Sequence, residues 1–165
     1  MDIQTRVMHE RDIEEIVQLS LLAWEPVFTS FRHVLGSRIY LLVYPDWKAS
    51  QRSVVETMCR NQENFTVWVA ERDVSVVGFV LCELNVQDQV GEVQLLAVHP
   101  AHQKRGIGTV LNNLALQHMR EHGMKLAVVG TGGDPGHTPA RAAYEKAGYT
   151  ALPLVRYYQA LTELS

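Results

Sequence analysis

The 165 residues carry 15 Lys/Arg against 18 Asp/Glu, a formal net charge of −3, with 47% hydrophobic and 20% charged residues. That length suits one domain with a real core, the mild charge argues against a nucleic-acid surface, and no apolar run approaches the roughly 18 residues of a membrane helix. The opening MDIQTRVMHERD carries acids and no signal-type apolar stretch, and Cys59 and Cys82 sit in apolar-patterned segments, so a cytoplasmic protein with buried free thiols is expected.

In chain order, QTRVMH alternates like a short strand, and Asp12 with Glu15 makes a capping-box pattern that predicts a helix through about Trp24. Residues 25–45 read as irregular and aromatic, with Phe28, Phe31, Tyr40 and Tyr44. Asp46 is placed to cap a second helix ending near Arg60. NFTVWVAER and SVVGFVLCEL read as two strands joined by a tight turn at Arg72 and Asp73, and EVQLLAV as a third after a turn near Asp88–Gly91. From Ile107 the period becomes helical: Ile107, Val110, Leu111, Leu114, Ala115 and Met119 share one face, and Gly123 is placed to end the helix. KLAVVGT reads as a buried strand, Thr138 and Pro139 as the N-cap and first residue of a helix that Gly148 ends, and LPLVRYYQAL as a final strand. This order predicts an α/β fold whose central sheet is mixed but largely antiparallel and flanked by helices.

The stretch AVHPAHQKRGIGTV, residues 97–110, leaves a strand at a proline, turns through Gln103, Lys104, Arg105 and Gly106, and passes Gly108 into the helix. Unpaired N–H groups and the dipole at a helix N-terminus favour an anion, and glycine lets the backbone approach it closely. The pattern is that of a phosphate cradle. No Gly-Lys-Ser/Thr follows, so a triphosphate loop is excluded, and Leu111 stands where a dinucleotide fingerprint needs its third glycine. Residues 1–90 are net −5 and residues 91–165 net +2, a split that suits an anionic cofactor at one end and a cationic acceptor at the other.

QKRGIG resembles the Gln/Arg-x-x-Gly-x-Gly/Ala pyrophosphate loop of the GNAT superfamily of acyl-CoA N-acyltransferases. LLAVHPAHQKRGIGTVLNNLALQHM resembles that family's motif A, and ARAAYEKAGY its motif B. The two stand in the family's order with a strand between them, and with the strand order the resemblance covers about residues 60–160. It implies a GNAT-like fold and a single N-acetyltransferase domain over 1–165. About 1–64 would form a variable acceptor-binding part and about 65–160 an acyl-CoA-binding core.

The resemblance further implies that residues 103–108, Gln103, Lys104, Arg105, Gly106, Ile107 and Gly108, with Thr109 at the helix start, hold the CoA pyrophosphate. Leu96, Ala97 and Val98 would offer main-chain groups to the pantetheine arm, which enters where this strand splays from the next. Tyr144 falls on the family's tyrosine that protonates the departing thiolate, a role open to a phenol of pKa ~10; the alternative is a packing residue. The acceptor's ammonium must lose a proton before it can attack. Glu92, five residues before Ala97 and on one strand face with Gln94 and Leu96, is one candidate base; a solvated glutamate and a water relay is the alternative. His137, where the family commonly has asparagine, is the other. The glycine-rich GTGGDPGH, residues 130–137, reads as room for the backbone beside the thioester.

These residues imply direct transfer of an acetyl group from acetyl-CoA to a primary amine of a small, cationic molecule. The acceptor would sit among Trp24, Glu25, Phe28, Tyr40 and the C-terminal RYYQAL. Two rivals stay open: a protein lysine or N-terminal acetyltransferase, which needs an open groove, and a non-catalytic CoA-sensing or partner-binding module. No metal is expected, because neither His118 with His122 nor His99 with His102 has a third ligand at metal spacing. No nucleic-acid or membrane partner is expected, and a homodimer is left open.

Overall fold

The β-branched and aromatic runs between residues 65 and 98 pair as a meander. In the computed structural model, which describes residues 2–162, β1 (Gln4–Val7), β2 (Phe65–Arg72), β3 (Ser75–Asn85), β4 (Val90–Val98) and β5 (Leu126–Val129) form one sheet in the order β1-β2-β3-β4-β5. The first four strands are antiparallel, and β5 runs parallel to β4 after the crossover helix α3 (Ile107–Glu121). The β2–β3 turn is Asp73–Val74, at φ 51° and 62°, one residue later than expected.

Both faces of the sheet are covered. Val80, Cys82 and Val93 pack with Ile107, Leu111, Ala115 and Met119 of α3, so the apolar stripe read from the sequence is the face that meets the sheet. Val67, Val69, Phe79 and Leu81, on the other face, are buried as well, as are Ile16 and Val17 of α1 (Ile13–Val43) and Val55 and Cys59 of α2 (Trp47–Arg60). Burial pushes the Cys59 and Cys82 thiols up to about 11, which leaves both as inert core residues.

The start of α1 is organised one turn earlier than expected. A 3₁₀ turn covers Glu10–Asp12, and Asp12 is not the N-cap: its carboxylate accepts the His9 N–H at 2.7 Å and the Arg6 guanidinium at 2.7 and 3.0 Å. Arg6 also pairs with Glu71 across the β1–β2 ladder.

Residues 25–43 are helical rather than irregular. α1 continues through Pro26 to Val43, broken only at Gly36 (φ 74°, ψ 156°), because Trp24, Phe28 and Phe31 recur at the 3–4-residue spacing that stacks side chains on one helix face. Asp46 caps α2 as expected, accepting the Ala49 N–H at 3.1 Å. β5 is an exposed edge of four residues rather than a buried strand, with Leu126 57% and Val128 37% exposed. LPLVRYYQAL forms no strand: Leu152, Leu154 and Tyr157 are exposed, and an alternating sequence with no ladder beside it gains nothing from extension. Helices α3 and α4 (Thr138–Lys146) stop just before Gly123 and Gly148, as read, but Thr138 is the first helical residue of α4 and not its N-cap.

The chain divides into two compact units. Met1–Ala23 with Ser50–Gly130 holds the sheet, α2 from Ser50 on and α3; Trp24–Ala49 with Thr131–Ser165 holds the rest of α1 and α4. No helix among the described residues is long and apolar enough to cross a membrane.

Candidate functional site

In the sheet unit, β5 pairs with β4 only from Val90 to Val93, so from Gln94 to Val98 that edge of β4 has no strand beside it. The other edge stays paired with β3 out to Val98. An opening of this kind is a place where main-chain groups of Leu96, Ala97 and Val98 are available to a ligand.

The chain then turns through Pro100–His102, where His99 Nδ1 accepts the Ala101 N–H at 3.1 Å, and the Gln103 amide donates to Val98 O at 3.1 Å. Lys104 (φ 61°) and Gly106 (φ 81°, ψ 0°) both take the left-handed conformation, which strains any residue but glycine. Gly106 is the N-cap of α3, and no side chain caps it. The first-turn N–H groups of Ile107, Gly108 and Thr109 therefore have no helical partner and favour an anion. A Cβ built on Gly106 or Gly108 meets nothing closer than 3.8 Å, so the space over this turn is not filled by the protein.

The setting is cationic. Burial first, then repulsion from Arg72, His99 and Arg105, holds the His102 imidazole below its ordinary value. Arg72 is not expected at this loop from the sequence, because the end of β2 that carries it is 30 residues away in the chain.

Glu92 on β4 lies directly opposite Glu83 on β3. Gln94 donates to Glu83 at 3.1 Å, so all three share a face. Leu96 does not: Leu81 pairs with Leu95 and Cys82 with Val93, leaving Gln94 as a bulge that breaks the alternation and turns Leu96 to the α3 side. The expected grouping of Glu92 with Leu96 is corrected accordingly.

The other unit gathers the aromatic residues. Phe28 stacks on Trp47 (4.3 Å, 12°), Phe31 on Tyr44 (5.4 Å, 11°), and Phe28 and Tyr44 meet edge to face at 5.2 Å. Tyr40 is buried and packs on Tyr44 at 5.6 Å, while Trp24 is half-buried and Glu25 exposed on α1. Burial, then the neighbouring Tyr158, which hydrogen-bonds to it, raises the Tyr44 phenol, so part of RYYQAL does reach this cluster. The unit is net +1 by sequence, so the negative charge of residues 1–90 is not concentrated among the expected acceptor residues.

In the same unit the glycine-rich loop closes on itself. Asp134 Oδ1 pairs with His137 Nδ1, and Asp134 Oδ2 accepts from Ser30 Oγ at 2.7 Å and from the Gly136 N–H at 3.0 Å. A Cβ on Gly132 would overlap the Asp134 and His137 side chains, and one on Gly136 would come within 2.7 Å of Ser30 Cβ. Those glycines admit this polar cluster. Arg141 on α4 clamps the loop, donating to Gly132 O at 2.6 Å, Asp134 O at 2.8 Å and Thr138 Oγ1 at 3.0 Å. Burial alone would raise the Asp134 carboxyl, but the bonds from Ser30 and His137 outweigh it and hold it below the ordinary carboxylate value.

Tyr144, on α4, meets Tyr149 edge to face at 5.6 Å. Burial, and then Tyr149, pushes its phenol up to about 12. It therefore keeps its proton at any physiological pH. The His118 and His122 rings meet at 4.1 Å, tilted 47° to one another, with His118 edge-on to Trp68, and among the described residues no three His, Cys, Asp or Glu side chains are grouped to hold a metal ion.

The acetyltransferase (GNAT) family profile matches residues 29–149. Mycothiol acetyltransferase of Thermomonospora curvata is 32% identical over 93 residues, which is 56% of this chain but only 30% of that relative. The chain thus spans less than a third of the length of the curated relatives it matches. Among solved structures, the PaiA N-acetyltransferase of Thermoplasma acidophilum in complex with coenzyme A superposes with a TM-score of 0.70 at 18% identity, over 91% of both chains. The aminoglycoside N-acetyltransferase AAC(6')-Iy, in complex with a CoA-acetylneamine bisubstrate analogue, gives 0.66 at 16% identity over 98% of this chain and all of its own. Likeness at these identities is a likeness of fold.

Proposed function

Because this chain belongs to the acetyltransferase (GNAT) family, we propose that it transfers an acetyl group from acetyl-CoA to a primary amine of a small molecule. The observation that carries the reading is the uncapped start of α3 with left-handed Gly106, beside the edge of β4 that β5 leaves unpaired. Gln103, Lys104, Arg105, Gly106, Ile107, Gly108 and Thr109 would hold the pyrophosphate through backbone donors, with Arg72 adding positive charge. Leu96, Ala97 and Val98 would run beside the pantetheine arm, and a main-chain N–H near Val98 would steady the oxyanion. Tyr144 would serve the thiolate. A phenol near 12 donates a hydrogen bond readily but gives up its proton reluctantly, so it fits a donor that acts as the C–S bond breaks rather than before it.

For the acceptor we propose a cationic amine bound against Phe28 and its aromatic neighbours, with Trp24, Glu25 and Tyr40 in support. Attraction between an ammonium and ring faces, not net charge, supplies the selectivity. The proton is taken by Glu92, directly or through water, or by His137. Aminoglycosides, named for a protein of similar fold, are amines of this general kind and set the first probes.

Calorimetry with acetyl-CoA after chelation, followed by thiol release across aminoglycosides, polyamines, amino acids and peptides, tests the reading. Binding at micromolar concentration and amine-dependent thiol release are expected. Binding with no amine that accelerates release would instead favour a CoA-sensing module, and preference for peptides a protein acetyltransferase.

A further inference from the structure

Three side chains far apart in sequence meet around one carboxylate: Ser30 on α1, and Asp134 and His137 in the loop before α4. Asp134 is 9% exposed and His137 15% at the side chain, so the carboxylate is held dry while the imidazole keeps a small accessible edge. Both carboxylate oxygens are used, Oδ1 by His137 Nδ1 and Oδ2 by Ser30 and the Gly136 N–H. An ionised carboxylate only accepts, so Nδ1 carries a proton, and whenever the ring is neutral its lone pair is on Nε2. The ring also packs against Phe31, 5.6 Å between centroids, which ties it to the aromatic cluster. Asp134 of its own loop is the charged group bonded to the ring, the Arg141 guanidinium of α4 is engaged with carbonyls of the same loop, and α1 brings the uncharged Ser30 onto Asp134 and Phe31 onto the ring.

Resting on the acetyl-transfer reading above, we infer that His137 rather than Glu92 takes the proton from the acceptor amine, with Asp134 and Ser30 as its positioning residues. Nε2 accepts a proton from the ammonium; the freed nitrogen lone pair forms the C–N bond to the thioester carbonyl, the C–S bond breaks as the thiolate takes the Tyr144 proton, and the second proton that nitrogen sheds on becoming an amide restores the phenol through solvent. The imidazolium returns its proton to solvent, so that one proton is released per acetyl group transferred. Asp134 fixes the tautomer and steadies the transient imidazolium, and Ser30 keeps the carboxylate turned toward the ring. Among the described residues no side chain orients Glu92 in this way, and its opposite neighbour is another glutamate.

Histidine-selective ¹⁵N NMR and pH profiles of kcat/KM, run on wild type, His137→Gln, Asp134→Asn, Ser30→Ala, Ser30→Thr and Glu92→Gln, test this. In wild type the His137 resonance should report a protonated Nδ1 and a bare Nε2, and Asp134→Asn should invert or mix the two. His137→Gln should lose the rising limb of kcat/KM with pH. Asp134→Asn should lower kcat/KM about 100-fold or more and displace that limb. Ser30→Ala should cost less, with rescue by Ser30→Thr, and gives a reading even if Asp134→Asn fails to fold. A limb that survives in His137→Gln and disappears in Glu92→Gln overturns the assignment while leaving acetyl transfer intact. Failure of wild type to bind acetyl-CoA, or release of thiol that no amine stimulates, overturns the transfer reading itself and the base with it.

Discussion

Ser30 and Asp134, 104 residues apart in the chain, share a 2.7 Å hydrogen bond that joins the middle of α1 to the loop ahead of α4. The contact depends on Gly136, where any side chain would strike Ser30. It turns a stretch of glycines into a defined polar cluster.

The two glycines of the α3 turn should behave differently. Gly106→Val forces a β-branched residue into the left-handed region, so CoA binding should weaken at least tenfold by calorimetry, with a lower melting temperature. Gly108→Ala adds a methyl in ordinary contact with Val98 and Leu96, at 3.8 and 3.9 Å, and should leave the melting temperature and the CoA dissociation constant within about threefold.

Tyr144→Phe should lower kcat about 10- to 100-fold and leave the acetyl-CoA dissociation constant within about threefold, because it removes a donor used as the thiolate forms and little shape. Since the phenol lies near 12, no alkaline loss of kcat attributable to Tyr144 should appear below pH ~11 in rapid-mixing assays. Wild-type turnover in the variant would reduce Tyr144 to a packing residue on α4.

Trp47→Ala should raise KM for the amine several-fold with a smaller change in kcat, because it removes the ring on which Phe28 stacks. The unit carrying these rings is net +1, so raising ionic strength from about 0.05 to 0.5 M should change kcat/KM by no more than about threefold. A steep fall with salt would place long-range charge, not the rings, in control of the acceptor.

Asp12→Asn should lower stability by about 1–3 kcal/mol at pH 7, read from urea midpoints, because it strips the Arg6 guanidinium and the His9 N–H of a buried charged acceptor. Burial would raise the Asp12 carboxyl, but the bonds from Arg6 and His9 outweigh it and hold it below its unfolded value. Its contribution is therefore present above pH ~4, the unfolded value, and is lost as pH falls through the lower folded value. Wild type and variant should converge in stability as the pH falls through that lower folded value.

The sheet order, the α3 stripe and the α3 turn were legible because each is a short-range signal: period two, period 3.6, and left-handed turn residues before a helix. The aromatic stretch after Trp24 is helical against expectation, because the 3–4-residue spacing of its rings stacks them on one helix face while aromatic composition alone favours no helix. The Gln94 bulge leaves no mark in the sequence, since VGEVQLLAV alternates no differently with it than without it. Ser30 was invisible for a different reason: one serine among helix residues has meaning only once a loop a hundred positions later lands on it. Asp134 and His137 stand at an i, i+3 spacing that any loop can show, and the cue that they matter is the glycines around them, which in the sequence point only to room for the backbone beside the thioester.

The strands follow one another across the sheet in the order in which they are made, and neither segment of the second unit contributes a strand. One of those segments is inserted between Ala23 and Ser50, and the other begins after Gly130, once the last rung of the ladder is in place. Sheet registry is thus settled by stretches of chain that carry none of the aromatic cluster or the Ser30-Asp134-His137 group. Substrate preference can drift, by substitution or by loop length, with little demand on the core for compensating change. A library varied at the exposed positions of residues 24–49 should accordingly retain a high fraction of folded members, and in it selectivity and thermal stability should vary almost independently.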